Sequence, residues 1–346
     1  MFKKRRFWIV LYGIVLISFT TYVMLDSFVI TKVYQTIPQE TSNNQSNTES
    51  GINSDSNSSS DSSLDSDSGL NSGSSSDSDS TNSSDTAKNN NNNTTADNGS
   101  MASVVSEDSY EDENISIQLT TYREYDSNIY VADVQVSSAE YLKTAFAKSS
   151  YGKNVTEKTS EIAEENNAIL AINGDYYGAQ ENGYVLRNGV IYRDSASKDQ
   201  QDLVIDSDGS FSIIEEEDTS LTTLLNDGAS QVLSFGPALV TDKEIAVTEG
   251  QEVGKAKASN PRTAIGIIDE LHYVFVVSDG RTTESAGLSL YQLAEFMQNL
   301  GVTTAYNLDG GGSSTMYFNG KVVNQPTTDG RKIRERSVSD IVYIGY

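Results

Sequence analysis

Residues 303–318 read Thr-Thr-Ala-Tyr-Asn-Leu-Asp-Gly-Gly-Gly-Ser-Ser-Thr-Met-Tyr-Phe. The apolar and β-branched residues at both ends predict two strands, and three consecutive glycines lie in the loop between them. No lysine follows the glycines, which excludes a Walker loop, and the strand that follows excludes a dinucleotide-binding fingerprint. Asp309 ends the first strand, and the N–H groups of Gly310, Gly311 and Gly312 could surround an anion. The alternative is a flexible turn.

Short apolar runs bounded by turn residues continue through residues 110–346 and predict a strand-rich folded domain. The runs lie at 115–119, 129–136, 168–172, 185–192, 203–205, 232–235, 263–268, 271–277, 303–308, 315–318 and 341–344. Helical patterns are fewer, and they occupy residues 155–166, 221–226 and 289–300. Strands grouped with few helices predict an α+β fold with mixed β-sheets in a single globular domain.

The N-terminus has the charge pattern of a membrane anchor. Residues 1–6 form a basic head, and the uncharged run 7–25 would extend about 28 Å as a helix, which is enough to cross a bilayer. The positive charges predict a cytoplasmic N-terminus and an extracellular C-terminal domain, in a single-pass protein of the cell membrane. The alternative is a signal peptide that is cleaved.

Residues 41–108 consist mostly of Ser, Asn, Asp, Gly and Thr and contain no aromatic residue. Such a segment cannot bury enough apolar surface to offset its chain entropy, so we expect a disordered linker between anchor and domain. The repeated Asp residues could suggest calcium binding. Their irregular spacing lacks the pattern of a calcium loop and favours a solvated spacer.

The composition excludes several classes of function. The 346 residues contain no Cys, which excludes disulfides, a cysteine nucleophile and a thiolate zinc site. His272 is the only His, so there is no multi-histidine metal centre, and its place at a strand start is typical of a surface or packed residue. A net charge of −25 and a pI near 4.3 argue against nucleic-acid binding.

Further segments place polar residues directly after a predicted strand, where sites are often built. Asn173, Asp175 and Tyr176 follow the strand 168–172. Asp175 could act as a general acid or base, and the pair Tyr176 and Tyr177 could stack on a sugar. The alternative is a tight turn in which Asn and Asp bond the backbone.

Two arginines stand next to predicted strands. Arg262 begins the strand that follows Pro261, and its planar guanidinium suits a bidentate contact with phosphate or carboxylate. A structural ion pair is the alternative for Arg262. Asp279 and Arg281 follow the strand 271–277 and could face a ligand or each other.

The order of these segments resembles the phosphodiester glycosidase family. The order is Asn-Gly-Asp-Tyr-Tyr at 173–177, Asn-Pro-Arg-Thr-Ala-Ile-Gly at 260–266, Asp-Gly-Arg at 279–281, the helix at 289–300, Asn-Leu-Asp-Gly-Gly-Gly-Ser-Ser at 307–314 and Asn-Gly-Lys-Val-Val-Asn at 319–324. Arg336 begins a closing Arg-Ser-Val-Ser-Asp segment that is also similar to the family. The resemblance covers residues 168–346.

The resemblance implies a hydrolase that cleaves the sugar–phosphate bond of glycosyl-1-phosphodiesters, in cell-wall or exopolysaccharide polymers. Asp175 and Asp309 are then the candidate catalytic carboxylates, because an oxocarbenium-like centre needs one to stabilise it, attack it or activate water. Arg262, Arg281 and Arg336 are candidates to neutralise the leaving phosphate. The other candidate substrate-binding residues are Asn173, Tyr176, Asp279, Gly310, Gly311, Gly312 and Ser313.

No cofactor is assigned with certainty. A carboxylate beside a glycine loop could hold Ca²⁺, although no series of ligands is legible. The expected partners are a glycan or sugar-phosphate substrate and, through the N-terminal helix, the membrane. The alternative function is a non-catalytic surface module that binds sugar or sugar-phosphate in the same pocket.

Overall fold

The computed structural model of the chain describes residues 2–37, 103–253 and 259–346. The predicted linker 41–108 therefore lies outside the described residues, except for residues 103–108. These last residues include a short strand that pairs with the domain, so regular structure begins before the predicted domain start at residue 110.

Helices are few, as predicted. The described residues form α1 (Phe2–Phe28), α2 (Thr159–Glu165), α3 (Leu221–Asp227) and α4 (Leu290–Asn299). Short 3-10 turns lie at Ala139–Tyr141, Ala147–Ser149, Tyr177–Ala179 and Gly311–Ser313. The predicted helix 155–166 begins late because Glu157 forms a β-bridge with Val338.

Strands make up most of the remaining regular structure. In chain order they are β1 (Lys32–Thr36), β2 (Val104–Val105), β3 (Ser109–Glu111), β4 (Ile115–Glu124), β5 (Ser127–Val136), β6 (Leu142–Phe146), β7 (Ser150–Lys153), β8 (Leu170–Asn173), β9 (Val185–Arg187), β10 (Val190–Arg193), β11 (Gln201–Asp206), β12 (Phe211–Glu215), β13 (Ala229–Leu233), β14 (Ala238–Thr241), β15 (Glu244–Ile245), β16 (Arg262–Asp269), β17 (His272–Ser278), β18 (Thr304–Leu308), β19 (Met316–Phe318), β20 (Lys321–Val322) and β21 (Asp340–Ile344). The α+β prediction is confirmed, with sheets that are antiparallel at every pairing between the described strands rather than mixed.

Three sheets surround one apolar core. The largest has nine strands in the order β15-β14-β18-β16-β17-β5-β4-β3-β2, and the other two have the orders β20-β19-β8-β21-β6 and β10-β9-β13-β11-β12. Ile265 and Phe275 of the first sheet pack in the same cluster as Ile172 of the second and Leu203 of the third. The ends of β8 and β18, which belong to different sheets, are thereby brought to one edge of this core.

Helix α4 covers the other face of the nine-stranded sheet. Leu293 and Met297 pack against Val274 and Val276. Ser289 accepts a hydrogen bond from the Gln292 amide at 3.1 Å, and the Gln292 side chain accepts one from the Ser289 amide at 2.9 Å, which forms a capping box. The helix predicted at 289–300 is confirmed as Leu290–Asn299, with Ser289 as its capping residue.

The predicted run 185–192 forms two strands rather than one. Asn188 and Gly189 have φ angles of 50° and 73°, which create a two-residue turn between β9 and β10. Both central positions of such a hairpin turn need positive φ, and Asn-Gly is the preferred pair. The turn leaves Arg187 at the end of β9, facing the interior.

Helix α1 covers the run 7–25 that was predicted as a membrane anchor. Among the described residues, no helix has both the length and the apolar character that a membrane span requires. The anchor therefore stays a prediction.

Strand β1 follows α1 and pairs antiparallel with β7, far along the sequence. The Ile37 amide extends the contact by donating to the Ser149 carbonyl at 2.8 Å, and Ile37 packs on an aromatic cluster that includes Tyr151. Gly152 permits this approach, because a Cβ atom there would collide with the carbonyl oxygen of Lys32. The segment before the predicted linker is thus part of the described fold.

We expect Gly152→Val to release β1 from β7, because the colliding group is backbone and cannot move away by changing rotamer. Hydrogen exchange should become at least about tenfold faster at the β1 amides. The amides of β5 serve as the internal control and should keep their parent rates. Unchanged exchange at β1 would contradict this role for Gly152.

Candidate active site

The side chain of Asn173 joins the end of β8 to the end of β18. Its Nδ2 donates to the carbonyl oxygen of Asp309 at 2.7 Å, and its Oδ1 accepts from Thr263 Oγ1 at 2.8 Å. In addition, the Asp309 amide donates to the Gly174 carbonyl at 3.2 Å. Asn173 is fully buried, so it fixes the backbone of Asp309 rather than contacting a substrate.

Close packing or backbone conformation requires glycine at two of the three positions after Asp309. A Cβ atom on Gly310 would lie 2.9 Å from the Pro261 oxygen, and one on Gly311 would lie 2.8 Å from Arg281 Nη2. Gly311 also has a φ of 65°, which disfavours other residues. Its amide donates to the Pro261 carbonyl at 2.8 Å, so that N–H group is not available to an anion.

The carboxylate of Asp309 contacts two side chains that come from the glycine loop and the C-terminal segment. Ser313 Oγ donates to Asp309 Oδ2 at 2.6 Å, and Arg336 Nη2 donates to the same oxygen at 3.0 Å. Arg336 also donates to Ser313 Oγ, at 2.6 Å from Nη2 and 3.0 Å from Nε. These contacts close a ring of three functional groups around one carboxylate oxygen.

Burial and charge act in opposite directions on Asp309. Burial raises the pKa of its carboxyl above the ordinary value, while the positive charge of Arg336 and the Ser313 hydrogen bond lower it. Asp309 itself is 8% exposed, but the Arg336 side chain is 40% exposed. An anion could therefore reach this arginine from solvent.

Arg281 lies beside the same loop. Its Nη1 donates to the Thr328 carbonyl at 2.7 Å, and its Nη2 donates to Asn260 Oδ1 at 2.9 Å. Burial lowers the pKa of Arg281, and the nearby positive charges of Arg336 and Arg262 lower it further. Like charges gathered in this way are a common feature of sites that bind phosphate.

Asp175 lies in a different environment from Asp309. It is 0% exposed, and its Oδ2 accepts from Arg187 Nη2 at 2.7 Å and from the Ser234 amide at 2.8 Å. Its Oδ1 accepts from the Tyr177 amide at 3.1 Å. All of these partners belong to the protein, so Asp175 is placed to hold the turn after β8.

Asp340 shares Arg187 with Asp175. Arg187 Nη2 donates to Asp340 Oδ2 at 2.9 Å, and Asp340 Oδ1 accepts from the Asp175 amide at 3.2 Å. Two buried carboxylates thus face one guanidinium. Burial, together with the negative charge of Asp175, raises the pKa of Asp340 to about 7. Gly174 lies against this group, and a side chain there would collide with the Asp340 carboxylate.

Comparison with known proteins identifies the family. The family described as phosphodiester glycosidase matches residues 166–345. The chain belongs to the phosphodiester glycosidase family. The resemblance seen in the order of motifs is confirmed, and the site described above lies almost entirely within the matched residues.

Two curated relatives share part of their sequence with this chain. The SPbeta prophage-derived uncharacterized protein YomE of Bacillus subtilis is 28% identical over 215 residues, which are 60% of this chain and 32% of that protein. The mouse N-acetylglucosamine-1-phosphodiester alpha-N-acetylglucosaminidase is 38% identical over 87 residues, which are 24% of this chain and 17% of the mouse protein. The chain spans about a third or less of the length of these relatives.

A solved structure supports the fold of the phosphodiester glycosidase domain. The catalytic domain of zebrafish N-acetylglucosamine-1-phosphodiester alpha-N-acetylglucosaminidase superposes with a TM-score of 0.53 and 22% identity, covering 67% of this chain and 83% of that chain. This likeness concerns the fold.

Arg262 and Asp279, both predicted to bind substrate, are buried in the glycosidase domain. Arg262 Nη2 donates to Glu252 Oε2 at 2.5 Å, which is the structural ion pair considered as the alternative. Asp279 accepts from the Gln325 amide at 2.8 Å and from Tyr130 Oη at 3.1 Å. Asp279 and Arg281 therefore bind other groups and not each other. The two buried residues, Arg262 and Asp279, support the loops around Asp309.

Tyr176 is the exposed member of the turn after β8. It is 43% exposed and has a left-handed φ of 68°, which is costly for a bulky residue. The neighbouring Tyr177 is buried and stacks on Tyr151 with ring centroids 5.3 Å apart. Tyr176 is exposed as a sugar-stacking role requires, whereas the burial of Tyr177 in the aromatic cluster contradicts the expectation that it also stacks on a sugar.

No group of three or more His, Asp or Glu side chains in the described part of the chain is arranged to hold a metal ion. The expectation of Ca²⁺ stays a prediction. A cavity of about 640 Å³ lies elsewhere, between residues 199–201, 215–218 and 235–237, and no predicted site residue lines it. His272 bonds Asp133 at 2.9 Å near the surface.

Sequence reasoning missed Arg187 and Asp340, which hold Asp175 in place. Arg187 lies within the predicted run 185–192, and Asp340 begins the last strand, where it resembles an ordinary residue at a strand end. A charged residue within an apolar run was the one signal available for Arg187. Its partner Asp340 lies 153 positions away.

We expect Arg187→Met to lower the free energy of unfolding by about 3–5 kcal/mol, because it leaves two buried carboxylates without their cation. The loss should grow as the pH rises above about 7. Arg187 lowers the pKa of Asp340, so without the arginine this carboxyl keeps its proton in the folded state to a higher pH, and the variant goes on losing stability at pH values where the parent no longer does. Urea unfolding at pH 5 and pH 8 measures this.

Arg123→Met is the matched control, because Arg123 is exposed at the end of β4. The Arg123 variant should have a free energy of unfolding within about 0.5 kcal/mol of the parent value at both pH values. Equal stability of the Arg187 and Arg123 variants would contradict the structural role of the buried arginine.

Proposed function

We propose that this phosphodiester glycosidase domain hydrolyses the bond between the anomeric carbon and the phosphate oxygen of glycosyl-1-phosphodiesters, with Asp309 as the reacting carboxylate. The observation that carries the proposal is the group formed by Asp309, Ser313 and the half-exposed Arg336. It combines a carboxylate with a cation that an incoming phosphodiester can reach. Membership of the family supports the reaction class.

The reaction needs charge neutralisation more than it needs a strong acid. The oxygen of water bonds to the anomeric carbon, and the bond to the bridging oxygen breaks. The electron pair leaves on that oxygen as part of a phosphate monoester, and one water proton is released. Because a phosphate monoester is already a good leaving group, cations that stabilise its developing charge are the main requirement.

The residues around the glycine loop divide this work. Arg336 binds the phosphate and favours the ionised form of Asp309, and Arg281 lies beside Gly311 of the loop. Asp309 acts on the oxocarbenium-like centre by attacking it, stabilising it or activating water. Asp175 is assigned a positioning role, because its oxygens are occupied by protein groups. Tyr176 provides a surface for the sugar ring.

We further propose that the substrates are cell-wall or exopolysaccharide polymers, and that the chain is held in the cell membrane with this domain outside. The basic head before the uncharged run 7–25 supports the membrane orientation. The chemistry that the family implies supports the substrate class. Protease added to intact cells should release the domain. Full protection until the cells are lysed would contradict this orientation.

Asp309→Asn should reduce kcat/KM by at least about 10²-fold, the lower end of the effect expected for a positioned acid or base. The substitution keeps the shape of the side chain and removes its charge. The measurement is release of reducing sugar from a panel of sugar-1-phosphodiesters. Asp269→Asn, at the opposite end of β16 from Arg262, is the control and should turn over at the parent rate.

Near-parent turnover by folded Asp309→Asn would rule out Asp309 as the reacting group. If the parent bound sugar-phosphates and released nothing from any of them, the domain would be a binding module instead.

Arg336→Gln should move the acidic limb of the pH profile of kcat/KM to higher pH. The reason is that Arg336 lowers the pKa of Asp309, so the carboxylate would gain its proton at a higher pH once the arginine is lost. Arg336→Lys keeps the charge and should keep the position of the limb. A fall in rate without any movement of the limb would show that the two groups are not coupled in catalysis.

A further inference from the structure

The C-terminal segment that delivers Arg336 is rich in positive charge. Residues 331–336, which we term the basic loop, read Arg-Lys-Ile-Arg-Glu-Arg. The whole chain has a net charge of −25, so four cations among six residues contrast sharply with its acidic background. The loop begins at the surface and ends at the candidate catalytic carboxylate.

The acidic residue of the basic loop is bound to the protein. Glu335 accepts hydrogen bonds from the Ser160 amide at 3.0 Å and from Ser160 Oγ at 2.6 Å, at the start of α2. Asp329, just before the loop, accepts from the Arg331 amide at 3.0 Å. Neither carboxylate forms an ion pair with a cation of the loop in the described residues.

Three cations of the loop are left without such contacts. Arg331, Lys332 and Arg334 are exposed, and within residues 103–253 and 259–346 their side chains form no ion pair or hydrogen bond. Arg336 continues the row and binds Asp309. Three exposed cations therefore adjoin, in the chain, the arginine that binds the candidate catalytic carboxylate.

The backbone of the loop is held in position. The Arg334 amide donates to the Pro326 carbonyl at 2.7 Å, and Thr327 Oγ1 donates to the Lys332 carbonyl at 2.8 Å. The Arg336 amide contacts the Gly312 carbonyl at 3.3 Å. A loop ordered in this way loses less conformational entropy when it binds a ligand.

We propose that the basic loop binds further phosphodiester groups of a polymeric, polyanionic glycan whose reacting bond lies at Asp309. The inference rests on the proposed function and adds that the substrate carries several phosphates in sequence. Residues 331–336 span at most about 17 Å when extended, which is room for more than one phosphate. Arginine and lysine are the side chains suited to such groups.

A glycan explains the loop better than a membrane surface does. The row of charge is continuous with Arg336, so an anion bound along it also leads to Asp309. Ile333 is the one large apolar side chain in the row, and the aromatic residues that anchor interfacial segments are missing from it.

The test compares a triple variant, R331Q/K332Q/R334Q, with a matched control, R123Q/K198Q/K243Q, which removes the same charge from exposed positions elsewhere. Each is assayed on a single glycosyl-1-phosphodiester and on an oligomer of repeating glycosyl phosphates. In the triple variant, the kcat/KM ratio of oligomer to single unit should fall by about tenfold, the combined effect of three surface ion pairs. The control should keep the parent ratio.

Salt supplies a second prediction for the same assay. The oligomer-to-single-unit ratio of kcat/KM should differ less between the parent and the triple variant as salt rises from 50 mM to 1 M. The reason is that screening by salt shortens the range of charge–charge interactions to about 3 Å. If the oligomer-to-single-unit ratio of kcat/KM at low salt were the same in the triple variant and in the control, the proposal would be overturned.

Binding of inorganic polyphosphate separates this inference from the proposed function. The parent and the control should bind it at low salt, and the triple variant should bind at least about tenfold more weakly. If the three proteins bound polyphosphate in this way but the parent hydrolysed no glycosyl phosphate, the catalytic proposal would be refuted and the assignment of the basic loop as an anion-binding site would stand. Binding to anionic phospholipid vesicles but not to polyphosphate would overturn the loop's assignment to a glycan.

Discussion

The guanidinium of Arg187 is the contact on which the other parts of the site depend. It lies at the end of β9 and bonds the carboxylates of Asp175, after β8, and Asp340, at the start of β21, and it also contacts the carbonyl of Val232 in β13. It thereby joins the two five-stranded sheets. Asn173, two residues before Asp175, then joins one of these sheets to the nine-stranded sheet through the Asp309 carbonyl. The position of Asp309 follows from this chain of buried contacts.

Burial separates the roles of the two carboxylates that the sequence made equally plausible. Asp175 is enclosed and its oxygens are occupied, whereas Asp309 lies beside an arginine that solvent can reach. A reacting group needs access to substrate, and a positioning group needs fixed partners. We therefore propose a positioning role for Asp175 and the chemical role for Asp309, whose carboxylate binds Arg336 at the end of the basic loop.

Local patterns predicted the parts of the fold that depend on neighbouring residues. The helical pattern at 289–300 located α4, and the apolar runs on either side of the glycine loop located β18 and β19. The order of motifs identified the family, since such an order is specific even where each short motif is not. These features are all encoded within short stretches of chain.

The features that sequence reasoning missed depend on residues distant in the chain. Arg187 and Asp340 meet across 153 positions, and β1 pairs with β7 although a long segment separates them. For Arg262, the sequence could not choose between phosphate and an ion pair, because the choice depends on how Glu252 folds back. Pairing between buried charges has no periodic signature, so it is visible only when the strands are placed together.

The central claim is that Asp309 acts at the anomeric carbon while Arg336 binds the phosphate, so that the bond to phosphorus is not broken. Turnover of a sugar-1-phosphodiester in ¹⁸O-labelled water, with the released sugar reduced at once to prevent exchange, tests it directly by mass spectrometry of both products. The account predicts that the label enters the anomeric hydroxyl of the sugar and that the phosphate monoester remains unlabelled. Label in the phosphate would mean that the phosphorus–oxygen bond is cleaved, and it would contradict the assignment of Asp309 to glycosidic chemistry.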